Sequence, residues 1–229
     1  MGGIDTGAPS RIIRARTSRE RQAAVARAAE ILLSGGLVAY PTESFYGLAA
    51  DATNEKAIER LFHVKRRKPS RPLLILIPSE DVLSDYARVV PQPVRKLISA
   101  LWPGGVTLVF HASSKVSPLL TAGTDRIGIR LSSHPLATSL TLAAGVPITG
   151  TSANISGAPP CRTVDAVLGQ FGDALDLVLD GGRTPGEKGS TVLDVTVDPP
   201  RILREGLVSR EVLERIIPIS TSPVTKALA

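Results

Sequence analysis

A run of five consecutive apolar residues, Leu73-Leu74-Ile75-Leu76-Ile77, constrains this chain more than any other feature. Five residues are too few for a stable helix, and a strand without alternating polar positions has to be buried on both faces. The sheet that contains it therefore needs cover above and below. Other short strand patterns occur at residues 37–40, 106–110, 127–131, 146–149, 175–179 and 191–195. Helical signals separate them. Thr17 and Glu20 have capping-box spacing, which predicts a helix from Ser18 to about Leu33, closed by Gly35 and Gly36. Asn54 is placed to cap a helix carrying Ala57, Ile58, Leu61 and Phe62 at helical spacing. Residues 41–51 read as a loop, and Ser79 is expected to cap a short helix. Further helices are expected at residues 93–101, 135–144, 163–168 and 210–217. This order predicts an α/β protein, a mixed twisted sheet flanked by helices. One domain is expected over residues 18–217, after a flexible basic segment (1–17) and before a tail (218–229).

Composition narrows the chemistry. Aromatic residues make up only 3% of the 229, so the core has to be packed from Ala, Leu, Val and Ile. Lys and Arg number 27 against 21 Asp and Glu, a balance that suits either an anionic ligand (a nucleotide or RNA) or an ordinary solvated surface. A single cysteine, Cys161, rules out a disulfide within the chain and a cysteine metal cluster. His63, His111 and His134 match no zinc spacing, so no metal-holding residues are expected. No apolar stretch reaches the length of a membrane helix and no secretory core is evident, so a cytoplasmic location is expected.

Four segments carry polar groups where α/β folds place ligands. Residues 40–48, Tyr-Pro-Thr-Glu-Ser-Phe-Tyr-Gly-Leu, leave the end of a buried strand. Residues 65–71 hold five basic side chains among seven, Lys65, Arg66, Arg67, Lys68 and Arg71. Such a run suits a solvated loop or a phosphate-rich ligand, but it lacks interleaved aromatics for stacking RNA bases. Residues 147–157 open from a strand into a loop rich in hydroxyls, amides and glycine, with Ser152 and Asn154 able to meet a phosphate or carboxylate. Ser152 has no nucleophile elbow around it, so a serine hydrolase is excluded. Residues 181–190 look superficially like a P-loop, but Glu187 follows Gly186 and Gly189 separates Lys188 from Ser190, so the required order is absent.

These segments, taken in order with Leu101-Trp102-Pro103-Gly104-Gly105, Arg130 with His134-Pro135, Ser190-Thr191 and Ile202-Leu203-Arg204-Glu205-Gly206, resemble the YrdC-type threonylcarbamoyl-adenylate synthases, in their short single-domain form. The resemblance implies an α/β fold with a basic concave cavity. It implies a nucleotidyltransferase that joins L-threonine, bicarbonate or carbon dioxide and Mg²⁺-bearing ATP into threonylcarbamoyl-AMP and pyrophosphate. The product would pass to a transferase complex that modifies tRNA at adenosine 37, and direct tRNA contact is compatible with the basic charge. By the same resemblance Lys65, Arg67, Ser152 and Asn154 would be catalytic, and Arg67, Arg71, Thr107, Ser152, Asn154 and Arg204 would contact the nucleotide. Thr42, Arg130 and Ser190 would contact the substrate threonine. Arg71 and Leu76 stand where the family commonly has Asn and His, an exchange that alters one nucleotide contact and removes a donor. The alternatives are a non-enzymatic RNA-binding paralogue and a synthase acting toward another carbamoyl acceptor.

Overall fold

The computed structural model describes residues 11–221. Capping starts its first long helix as the sequence predicts. In α1 (Ser18–Leu33) the Thr17 side chain accepts from the Glu20 amide, and the Glu20 carboxylate reaches back to the Thr17 amide at 2.9 Å. Asn54 likewise caps α2 (Glu55–Val64). Ser79 does not cap in this way. Its hydroxyl goes to the Asp81 carboxylate ahead of α3 (Leu83–Tyr86). The remaining helices are α4 (Gln92–Leu101), α5 (Pro118–Thr121), α6 (Pro135–Ala144), α7 (Val164–Phe171) and α8 (Arg210–Glu214). The last of these ends three residues short of the expected 217.

The described strands form a single mixed sheet. They are β1 (Ile12–Arg14), β2 (Val38–Pro41), β3 (Tyr46–Ala49), β4 (Leu74–Leu76), β5 (Val106–His111), β6 (Arg126–Arg130), β7 (Ile148–Ser152), β8 (Leu177–Asp180), β9 (Thr191–Asp194) and β10 (Arg201–Arg204). Their spatial order is β1-β8-β2-β3-β7-β4-β6-β5-β9-β10. Three corrections to the sequence reading follow. The stretch expected to be a flexible lead-in contains β1, which pairs in parallel with β8 and extends the domain ahead of position 18. The expected loop at 41–51 contains β3, which pairs antiparallel with both β2 and β7. The strand expected to stop at Thr149 runs on to Ser152, because β3 and β4 hold it on either side. Ile219, within the expected tail, is buried against the core. Residues 1–10 and 222–229, the ends of the expected flanking segments, lie outside the described residues.

Strand alternation sorts the core onto two faces. Leu37, Ala39, Leu48, Ile75, Ile77, Leu108, Ile129 and Val178 belong to the larger apolar cluster, with α2, α4 and α7. Val38, Tyr40, Ala49, Leu76, Ile148, Leu177 and Leu179 point the other way, where α1 and α6 cover them. These two helices roof that face at β8 and β2 and reach Ile148 and Leu76 beyond them. Over β7, β4, β6, β5 and β9 the same face carries Gly150, Ser152, Leu74, Gly128, Arg130, Thr107, Val109 and Val192, and these residues line an open cavity.

One glycine fixes the rim of that cavity. A Cβ on Gly206 would sit 2.2 Å from the Gly189 carbonyl oxygen and 2.5 Å from both Ser190 C and Thr191 N. Backbone cannot yield as a flexible side chain does, so only glycine lets residues 189–191 lie this close. Gly206→Ala is expected to cost about 2 kcal/mol or more in urea unfolding. A midpoint equal to that of the parent protein would refute this packing.

Candidate active site

The cavity measures about 520 Å³. Its floor is built from alternate residues of the central strands. Gly128 and Gly150 keep the floor flat, since a Cβ at Gly150 would meet Leu74 Cδ1 at 2.2 Å. Arg67, Arg126, Arg130, Lys188 and Arg204 are among its lining residues, as is the carboxylate of Glu205. Thr42, Ser44, Thr107, Ser132, Ser152 and Ser190 add hydroxyl groups. Within the described residues no cluster of His, Cys, Asp and Glu is arranged to hold a metal ion.

Lys65 follows the last turn of α2 and is only 2% exposed, beneath the cavity rather than in its lining. Its Nζ donates to the carbonyl oxygens of Ser152 and, at 2.7 Å, Asn154. The Ser156 amide in turn donates to the Lys65 carbonyl at 2.8 Å. A buried ammonium requires such partners, and here it clamps the chain as it leaves β7. Burial pulls its pKa down to about 7, with the Arg67 charge adding to the fall and Cys161 opposing it. The Ser152 hydroxyl bonds the Asn154 side-chain carbonyl, while Asn154 Nδ2 donates to the Ile155 and Ala158 carbonyls at 2.9 and 2.8 Å. Ser152 therefore faces the cavity from the end of a strand, and Asn154 braces the turn behind it.

Arg67 is held by the Pro72 carbonyl at 2.7 Å and the Arg71 carbonyl at 3.3 Å. Burial lowers its pKa, and the neighbouring Arg71 charge adds to the effect. Arg204 donates to the Ser190 carbonyl at 2.9 Å and its hydroxyl at 3.2 Å, and it too is lowered by burial and then by the charge of Arg130. Thr107 and Ser190 share a hydrogen bond of 2.9 Å. Thr42 bonds Ser44 at 3.2 Å and the Phe45 carbonyl at 2.7 Å. Arg130 donates through Nε to the Gly104 carbonyl at 2.8 Å, while its Nη2 makes an ionic contact with Glu43 that is not aligned as a hydrogen bond. Burial raises the Glu43 carboxyl, but Arg130 and the Ser132 and Ser133 donors outweigh it and hold the group below the usual carboxylate range.

The structure thus brings Thr42, Arg67, Thr107, Arg130, Ser152, Ser190 and Arg204 to one cavity, with Lys65 and Asn154 behind it. Arg71 is exposed and stands outside the lining, contributing its carbonyl to Arg67. Leu76 is part of the floor, abreast of Arg130. Sequence reading missed Glu43, Arg126 and Lys188. Arg126 was accessible to period-two reasoning, because it shares a strand face with Gly128 and Arg130.

Residues 30–206 match the Sua5/YciO/YrdC family model, described as "Telomere recombination". The chain belongs to this family. It is 38% identical over 190 residues to a threonylcarbamoyl-AMP synthase of Pyrococcus abyssi, a match covering 83% of this chain and 56% of that protein. The same name is given to a Shigella boydii relative, 39% identical over 164 residues, where 70% of this chain and 86% of the relative align. The fold superposes on a structure of P. abyssi Sua5 complexed with L-threonine with a TM-score of 0.88 and 35% identity, covering 95% of this chain and 66% of that one. The chain therefore spans just over half the length of its P. abyssi relative, and the family domain accounts for the shared part.

The Lys65 clamp has a pH signature. Its pKa is depressed in the folded state, so between about pH 7 and 10 the unfolded chain binds the extra proton. Stability therefore rises with pH across that window, by at most about 1.4 kcal/mol per unit. Lys65→Met is expected to remove this component of the rise in denaturant-unfolding profiles. Parallel profiles for parent and variant would refute it.

Proposed function

We propose that the cavity binds ATP together with L-threonine and a carbamate derived from bicarbonate, and that the chain acts as a threonylcarbamoyl-AMP synthase. The observation that carries this reading is the crowding of Arg67, Arg126, Arg130 and Arg204 around one cavity with few carboxylates. Guanidinium groups do not give up their charge in proteins. Burial, with the charge of Arg71 beside Arg67 and of Arg130 beside Arg204, makes these two guanidinium groups costly in the absence of an anion. A triphosphate relieves that cost. The relatives' names and the threonine-bound neighbour support the choice of amino acid.

In this reading the threonine amine adds to carbon dioxide, losing a proton to form a carbamate. A carbamate oxygen then bonds to the α-phosphorus of ATP as the bond to the β-phosphate oxygen breaks, and pyrophosphate leaves. Mg²⁺ enters with the nucleotide as part of the substrate. Arg67 and the Ser152 hydroxyl stabilise charge on the phosphoryl oxygens. Lys65 and Asn154 are positioning residues that fix Ser152 at the end of β7. Thr107 and Arg204 contact the nucleotide, while Thr42, Ser190 and Arg130 hold the threonine. Arg130 is partly neutralised by Glu43, which suits it to orient a carboxylate more than to attract a polyphosphate. No step needs a general base at the phosphorus, so the rate rests on holding three substrates in register. The adenylate would then pass to a separate transferase acting on tRNA in the cytoplasm.

The test is product formation from ATP, bicarbonate and L-threonine. Pyrophosphate and an acyl adenylate are expected only when threonine is present. Arg67→Ala is expected to lower the rate roughly 10²-fold or more without lowering the melting temperature. Salt-sensitive RNA binding with no threonine-dependent pyrophosphate would overturn the reading.

A further inference from the structure

Arg126 and Lys188 are the cavity cations that the reaction as described leaves without a role, and Arg126 is the one carried on a strand. It opens β6, and it shares one face with Gly128 and Arg130, all three lining the cavity. Four residue steps along the strand separate the two arginines, a distance of about 13 Å. They therefore mark opposite ends of the floor. Strand register shows which end Arg126 occupies. Leu76 pairs with Arg130 on the parallel side and with Ile148 on the antiparallel side. Both registers run the same way along β4, so Arg126 and Ser152 lie toward its Leu74 end, which Pro72 precedes. The Pro72 carbonyl is also the anchor of Arg67. Arg126, Ser152 and Arg67 thus converge at one end, away from Arg130 and its Glu43 partner.

The guanidinium is also held in place. Arg126 Nη1 donates to Asp194 Oδ2 at 3.1 Å, and Asp194 is fully buried. Asp194 is itself fixed, because its Oδ1 accepts from the Thr196 amide at 3.0 Å and hydroxyl at 2.6 Å. Arg201 approaches the same Oδ2 at 3.6 Å, so the carboxylate divides its charge between two guanidinium groups. The Arg126 side chain keeps 27% exposure, toward the cavity it lines. A guanidinium has five donors in a planar fork, and one anchored edge leaves the other oriented for a phosphate.

We propose that Arg126, braced by Asp194, is a polyphosphate-binding residue that takes the β- and γ-phosphates of the nucleotide and so holds the pyrophosphate leaving group. This rests on the ATP reading of the cavity and adds a residue and a subsite to it.

The test compares wild type, Arg126→Gln and Arg126→Lys by calorimetric titration with inorganic pyrophosphate, MgATP and L-threonine, alongside the KM for ATP. Arg126→Gln is expected to weaken pyrophosphate and ATP binding by about tenfold or more, with L-threonine affinity unchanged. Arg126→Lys keeps a cation for Asp194 but loses the fork, so an intermediate loss is expected, and this variant decides the matter if the glutamine protein fails to fold. Wild-type affinity for both polyphosphates in a folded variant would overturn the proposal. So would an equal loss for threonine, which would mark Arg126 as structural, and so would a wild type that binds neither polyphosphate. The two readings separate cleanly. A wild type that binds pyrophosphate but forms no adenylate sinks the synthase and leaves Arg126 standing. Turnover with an unchanged KM for ATP in Arg126→Gln does the reverse.

Discussion

Two helices over half a sheet face are the constraint from which the rest of this structure follows. α1 and α6 pack on Val38, Tyr40, Leu177 and Leu179 and reach as far as Leu76 and Ile148. The remainder of the face, from Gly150 and Ser152 of β7 across to β9, becomes the floor of a cavity. A sheet face left without apolar cover has to be wet or filled by a ligand, because its side chains cannot be satisfied by packing alone. The alternation of strands then dictates which residues face that space: Thr107 and Val109, Arg126 and Arg130, Gly150 and Ser152. The glycines allow close approach, and the arginines supply charge.

Charge placed around such a cavity is useful only if it is rigid, and each of its four arginines is tied down from behind. Arg67 is held by two carbonyls, Arg204 by Ser190, Arg126 by Asp194, and Arg130 by Gly104 and Glu43. Lys65 works differently. Its buried ammonium spends its hydrogen bonds on the carbonyls of Ser152 and Asn154, so its charge serves the shape of the turn after β7. Preorganised donors of this kind act without reorganising during the reaction. The arrangement fits a site whose task is to align a nucleotide with an acylating partner, with little acid or base chemistry of its own.

Much of the fold was legible because its signals are local. The capping box at Thr17 and Glu20 and the Asn54 cap started α1 and α2 where expected. The apolar run at residues 73–77 became a central strand, β4. The two-sided cover it demanded exists only in part: Ile75 and Ile77 enter the large core, while Leu74 and Leu76 border the cavity. β3 was hidden because Gly47 looks like a turn residue. It is there because the Tyr40 ring lies across it, and a Cβ would come within 2.8 Å of that ring. β1 was masked by its charged neighbours and is created by pairing with β8, some 160 residues away, which no local pattern reveals. The site was legible as loops and basic residues, and the family resemblance assigned them roles. The burial of Lys65 and the anchoring of Arg126 depend on partners distant in sequence.

The account turns on whether the uncovered half of the sheet is where nucleotide and amino acid meet. A crystal structure of the protein grown with L-threonine and a non-hydrolysable ATP analogue tests this most directly. The account predicts both molecules lying across Leu74, Gly128 and Gly150, with the triphosphate toward Arg67 and Ser152 and the threonine toward Arg130. An empty cavity at saturating ligand, or either molecule bound elsewhere on the surface, would contradict it.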